Sequence, residues 1–406
     1  MDENNLKKDL IFPPQFFWGC ATSAHQVEGG LNNDWTEWEK SPRRLADLEK
    51  KKLDPLDFIS GTAANSYLEN NADIACLKKL NANAYRFSID WSRIEPEEGR
   101  FDMEALEYYK NFIKKLRANN IESFVTLWHW PIPIWLKEKG GWENRKIISY
   151  FKKFVEKTAI YLNEEVNFWI TLNEPMVYSS QSYLVGEWPP QKKNPLALYR
   201  VINNLVNAHQ EAYRVLKSID PDNKVGIAKH NMYFEAANGA LVNKILKFGA
   251  DWWWNFRFLN KIKNYQDFIG LNYYFHNFVN YGFSKQFSYE KKSDIEWGLH
   301  PEGIYYLLKD LKKYNKPVYI TENGLADRGD QHRSWYIEEI LKNVHSAINE
   351  GVDVKGYFHW SLIDNFEWSS GFHPRFGLFE INYQTFERNA RSSAGFYADI
   401  CKNNKI

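Results

Sequence analysis

The chain has 406 residues, with 52 Lys and Arg against 51 Asp and Glu and a formal net charge of +1. With no broad field of either sign, nucleic acid and anionic membrane surfaces are not expected as partners. Apolar residues make up 44% and charged residues 25%, which is ordinary for a globular chain and excludes general disorder.

The start, MDENNLKKDLIFPP, places acids at Asp2 and Glu3 and has no apolar h-region, so no secretory signal is expected. No run approaches the roughly 18 to 20 apolar residues of a membrane span. A cytoplasmic location is the expectation. Cys20, Cys76 and Cys401 are far apart, without a CxxC or a metal-ligand spacing, and read as reduced packing residues. Aromatics reach 17%, including 17 Trp. Such rings fill large cores and also stack on ligands, so their positions must decide.

Short β-branched or aromatic runs alternate with longer helical patterns along the chain. The runs are Phe16–Ser23, Ala84–Ile89, Ser123–Trp130, Val166–Glu174, Lys224–His230, Asp267–Tyr274, Pro317–Glu322 and Val354–Leu362. Between the second and third, Leu106, Tyr109, Ile113 and Leu116 recur at helical spacing. Pro195–Ile219 and Ser334–Glu350 are rich in helix formers. No linker-like tract or exact repeat divides the chain, so residues 1–406 are read as one domain. Near-continuous apolar strands alternating with helices imply a parallel sheet covered on both faces. Eight such units predict an α/β fold with a closed (β/α)8 TIM barrel and long βα loops, the stretch Glu28–Ala64 being the largest. An open doubly wound sheet is the alternative, but the first strand is followed by ATSAHQVEGG rather than GxGxxG.

In a barrel, residues at the C-terminal strand ends form the reactive rim. Glu174 ends the fourth run and Glu322 the seventh, each beside an amide, Asn173 and Asn323. One such glutamate would read as a structural rim acid. Two of them, with His25, Gln26, Arg86, His129, Asn272, Tyr274 and Trp360 at other strand ends, suit hydrolysis of a glycosidic bond. One carboxyl protonates the leaving oxygen while the other attacks the anomeric carbon or activates water, and their separation decides retention or inversion. Arg86 is the available cation for holding one carboxylate ionised. Residue chemistry alone leaves open which glutamate plays which part.

The motifs TLNEP and ITENG, preceded by FFWGCATSAHQVEGG and followed by HWSLIDNFEW and RFGL, resemble glycoside hydrolase family 1, the retaining β-glucosidase and β-galactosidase family. The resemblance runs from about Phe12 to the C-terminus. It implies Glu174 as acid/base and Glu322 as nucleophile, with Arg86 and Tyr274 supporting the nucleophile. Gln26, His129, Asn173, Glu367 and Trp368 resemble the family's hydrogen bonders to the sugar, Trp360 its stacking floor and Trp297 its aglycone-side aromatic. Trp130, Asn272 and Phe376 complete the expected substrate contacts. The implied reaction is double displacement on β-D-glucosides, with β-D-galactosides or fucosides beside them, using no metal or organic cofactor.

A 6-phospho-β-glycosidase and a non-catalytic sugar-binding protein on the same fold are the alternatives. The Glu367 carboxylate is expected to repel a phosphate. A metal-dependent barrel hydrolase would want a His-x-His pair on the first strand, where SAHQVE offers one His. Phe358 and Trp360 alternate with Tyr357 and His359, and the sequence leaves open which pair faces inward. Trp252, Trp253 and Trp254 read as core and surface packing. The segment between the fourth and sixth runs is short for the family, so the flank near Trp252–Phe258 and Tyr274 is expected to be less covered and to admit an apolar ligand.

Overall fold

The computed structural model describes residues 9–281 and 289–406; the acidic start at Asp2 and Glu3 lies outside them. Eight parallel strands close into a barrel in chain order. They are β1 (Phe17–Ala21), β2 (Ala84–Ser88), β3 (Glu122–Thr126), β4 (Phe168–Asn173), β5 (Lys224–Ala236), β6 (Phe268–Val279), β7 (Val318–Asn323) and β8 (Val354–Trp360). Every predicted run overlaps its strand, and the open-sheet alternative is excluded because β1 pairs with both β2 and β8.

Large rings from one set of strands fill the barrel against small residues from the others. Phe124 lies 4.2 Å from Phe168 and 4.7 Å from Phe358, ring centre to ring centre. Space for such rings comes from glycines on adjacent strands: a Cβ on Gly226 would meet the Phe268 ring at 2.5 Å. Phe358 belongs to this interior and Trp360 follows it toward the rim, which settles the inward pair of β8. Tyr357 and His359 turn to the helix layer and pack on Tyr397.

The predicted helix over 195–219 is Pro195–Ile219, and the one over 334–350 is Arg333–Asn349. Leu106, Tyr109, Ile113 and Leu116 form the buried face of Met103–Ala118, whose N-terminus is capped by Asp102. The loop after β1 holds the helices Asp34–Glu39 and Pro42–Lys50 and packs onto the rim, where Trp35 meets Trp368 at 4.6 Å.

Two strands outrun their predicted ends at His230 and Tyr274. β5 and β6 continue to Ala236 and Val279 as a parallel ribbon paired from Tyr233–His276 to Ala236–Val279. This extension is half-buried and carries Glu235, His276 and Asn277, so it lacks the apolar continuity that marks the barrel portion.

Candidate active site

β4 ends at Asn173, and Glu174 turns left-handed with φ 43° and ψ 56° before Pro175 opens the helix Pro175–Ser180. Such a conformation costs a non-glycine residue about 1–2 kcal/mol. It is held by the Glu174 N–H bonding the Ala228 carbonyl at 2.8 Å, and it turns the carboxyl off the strand toward the barrel axis. Glu322 is the penultimate residue of β7 and lines the same cavity, of about 360 Å³.

The surroundings of the two carboxyls differ. Arg86 on β2 donates to Glu322 Oε1 at 2.5 Å, and the Tyr274 hydroxyl donates to Oε2 at 2.9 Å. Arg86 is itself fixed by Thr126, by the Thr321 carbonyl and by Asn173 Oδ1 at 2.7 Å. Among the described residues no cation contacts Glu174; Asn272 Nδ2 donates to its Oε1 at 2.8 Å. The same amide nitrogen also meets Asn173 Oδ1 at 3.3 Å. Thr321 Oγ1 fixes its orientation by donating to Asn272 Oδ1 at 2.6 Å.

Proton affinities separate accordingly. Burial and the charge of Glu322 push Glu174 up to about 8. Burial also raises Glu322, but Arg86 and then Tyr274 oppose it, so the first proton leaves Glu322. Glu322 gives up its proton before Glu174 does, the division that acid-assisted displacement requires.

Around this pair the structure gathers most of the expected residues. Glu174, Glu322, His129, Trp130, Tyr274, Trp297, Trp360, Glu367, Trp368 and Phe376 line the cavity. Arg86, Asn173, Asn272 and Gln26 stand directly behind them. Asn173 Nδ2 meets His129 Nε2 at 2.9 Å, and Gln26 Nε2 donates to Glu367 Oε2 at 3.1 Å. Burial and the nearby Arg86 drive the His129 proton affinity well down, and its buried Nδ1 makes no protein hydrogen bond. Trp130 and Trp368 pack 4.5 Å apart, forming an aromatic wall with Trp188.

Two expectations change. Trp254 is not mere packing: the π-helical turn Asp251–Phe256 points it into the cavity, where its indole N–H meets His230 Nδ1 at 3.2 Å. In a regular helix three consecutive tryptophans face three directions, so this inward placement carried no periodic signal. For Glu367, burial and then Glu322 raise the proton affinity to about 8, a direction that weakens the charge expected to repel a phosphate. Val177, Gln181, Glu187, Trp188, His230, Met232, Phe275 and Ile295 also line the cavity. His230 ends the predicted fifth run; the others come from loops, from the helix after β4 and from the β5–β6 ribbon, outside the predicted strand ends.

Residues 8–260 and 257–406 match the family described as Glycosyl hydrolase family 1. The chain belongs to this family. Like its other members it is a retaining β-glycosidase. It is 34% identical to Beta-glucosidase A of Thermotoga maritima over 455 aligned positions, covering 99% of both chains. Among solved structures, the β-glycosidase from Pyrococcus horikoshii superposes with a TM-score of 0.89 at 37% identity, covering 98% of this chain and 96% of that one. The T. maritima β-glucosidase in complex with deoxynojirimycin gives 0.90 at 32% identity, covering 97% and 99%. The alignment with Beta-glucosidase A is longer than this glycosidase, and the family match divides at residues 257–260. Both fit a segment shortened between β4 and β6. Among the described residues no helix is long and apolar enough to cross a membrane.

Proposed function

We propose that this glycosidase releases terminal non-reducing β-D-glucose by double displacement, with Glu322 as nucleophile and Glu174 as acid/base. The observation that carries the assignment is the unequal setting of the two carboxyls, Glu322 gripped by Arg86 and Tyr274 while Glu174 meets the amide of Asn272 and, among the described residues, no cation. Glu322 attacks C1 as Glu174 passes its proton to the departing oxygen. With the leaving group gone, Glu174 takes a proton from water, which attacks C1 and frees Glu322. Asn173 reaches the sugar 2-hydroxyl, where hydrogen bonding strengthens in the transition state.

The glucoside reading rests on the likeness to Beta-glucosidase A, with galactosides and fucosides as secondary substrates. Gln26, His129, Glu367 and Trp368 hold the remaining hydroxyls, and Trp130 and Phe376 flank the ring. The Trp360 face carries the apolar side of the sugar, and Trp297, 4.4 Å from Phe275, takes the aglycone. An unphosphorylated sugar is favoured because no Lys or Arg lines the cavity among the described residues. The proposal takes residues 1–406 as one catalytic domain acting in the cytoplasm, in keeping with three buried free cysteines.

The apolar ligand expected at the flank has support in the half-exposed Trp252, although Phe258 is fully buried and Arg257 covers Trp253. Binding of an apolar dye that persists when the cavity is saturated with an aryl glucoside would support a separate flank site. The main test is a panel of aryl β-glucosides, galactosides, fucosides and 6-phosphoglucosides, with product anomers followed by NMR. Glucosides should turn over fastest, with β-glucose appearing first. Phosphoglucoside preference, or turnover surviving in Glu322→Gln, would overturn the proposal.

A further inference from the structure

Beyond the rim, the β5–β6 ribbon brings together three residues that the glycosidase reaction does not use. Glu235 stands on β5 and His276 on β6, diagonal neighbours on one face, since Tyr233 pairs with His276 and Glu235 with Phe278. His300 joins them from the segment before the helix Gly303–Leu311, its ring centre 3.9 Å from that of His276. Ligand atoms of all three lie within 4.8 Å of one another. We propose that Glu235, His276 and His300 bind a divalent transition metal of the zinc class.

The strongest argument is His276 Nε2. Its side chain is 1% exposed, and Nε2 lies 3.3 Å from Glu235 Oε2 but off the hydrogen-bonding direction, without a hydrogen-bond partner among the described residues. The other ring nitrogen explains why. Tyr289 donates its hydroxyl proton to the His276 carbonyl at 2.9 Å, leaving its oxygen to accept from Nδ1–H at 3.4 Å. That tautomer leaves a bare, buried Nε2 lone pair beside a carboxylate, an arrangement that a cation held by both groups would satisfy. A proton on Nε2 is poorly suited to the place, since the Glu235 oxygen 3.3 Å away lies off its hydrogen-bonding direction.

A metal ion fits better. With bonds of about 2.0–2.1 Å in a tetrahedral site, neighbouring ligand atoms sit about 3.3 Å apart. Two imidazoles and one carboxylate favour Zn²⁺, Co²⁺, Ni²⁺ or Cu²⁺ over Mg²⁺ and Ca²⁺, which want mostly oxygen. His300 is free to turn a ring nitrogen inward, because the Gly303 N–H that meets its Nδ1 at 3.1 Å also bonds its carbonyl at 3.3 Å. Tyr289 supplies the outer hydrogen bond that orients a ligating imidazole. Glu235 and His300 are 45% and 24% exposed at their side chains, so an ion can enter from solvent.

The test uses the untagged full-length protein, stripped with a chelator and desalted. Titration with Co²⁺ should give about one equivalent bound and the strong visible absorption of a four- or five-coordinate site, and Zn²⁺ should raise Tm by a few degrees. Glu235→Gln should weaken Co²⁺ binding at least tenfold. His276→Phe, which keeps a ring packed on Tyr233 and His300, should abolish the spectrum. Both variants should retain aryl glucosidase activity, so failure here is separable from failure of the catalytic assignment. Co²⁺ binding unchanged in Glu235→Gln, no absorption from wild type, or a Mg²⁺ shift equal to that of Zn²⁺ would overturn the proposal.

Discussion

Replacing Tyr274 with Phe removes one hydroxyl and keeps the ring that packs near Trp297 and Phe376. The lost interaction is a 2.9 Å hydrogen bond to Glu322 Oε2, while Arg86 stays on Oε1. A hydrogen bond to a charged acceptor is worth about 1.5–3 kcal/mol. Because it favours the ionised carboxylate, its loss raises the proton affinity of Glu322, and at 1.36 kcal/mol per pH unit the rise is about 1–2 units. The assay is kcat/KM against pH with an aryl β-glucoside, whose acid limb reports the carboxyl that must be ionised in the free enzyme. That limb should move up by about 1–2 pH units, while the limb set by Glu174 moves little. An acid limb left at its wild-type position, with only a uniform fall in rate, would refute the reasoning and make Tyr274 a packing residue.

Glu174→Gln should stabilise the fold in a pH-dependent way. The folded-state carboxyl is raised from 4.5 to about 8, so wild type is not penalised below about pH 4.5, loses stability as pH rises through that window, and carries the full cost above it. The unfolding free-energy advantage of the variant in urea should therefore be near zero at pH 4 and reach a plateau near pH 8, on the order of a few kcal/mol; an advantage independent of pH would contradict the burial argument. Gly226→Ala puts a Cβ 2.5 Å from the Phe268 ring inside the barrel and should cost about 1–3 kcal/mol in urea unfolding; an unchanged midpoint would show that the ring moves freely.

The barrel and its two central carboxyls were legible because their signals are local. Apolar runs stop at Glu174 and Glu322, and the rim position follows from closing eight such runs. Trp254 was not legible, since a π-helical turn rather than a regular helix aims it inward. Met232 was missed because β5 runs on past its expected end at His230. The raised proton affinity of Glu367 depends on burial and on Glu322, 45 positions earlier in the chain, which no pattern in DNFEW reports. Roles of individual glutamates came from resemblance, and the contrast between Arg86 at one and Asn272 at the other supplies a physical reason for them.

Covalent capture bears most directly on the division of labour between the two acids. Incubation with an activated 2-deoxy-2-fluoro-β-glucoside, which forms the glycosyl-enzyme quickly and hydrolyses it slowly, should add one sugar to the intact protein by mass spectrometry. Peptide mapping should place that sugar on Glu322. Attachment at Glu174, or turnover without any adduct, would contradict the account.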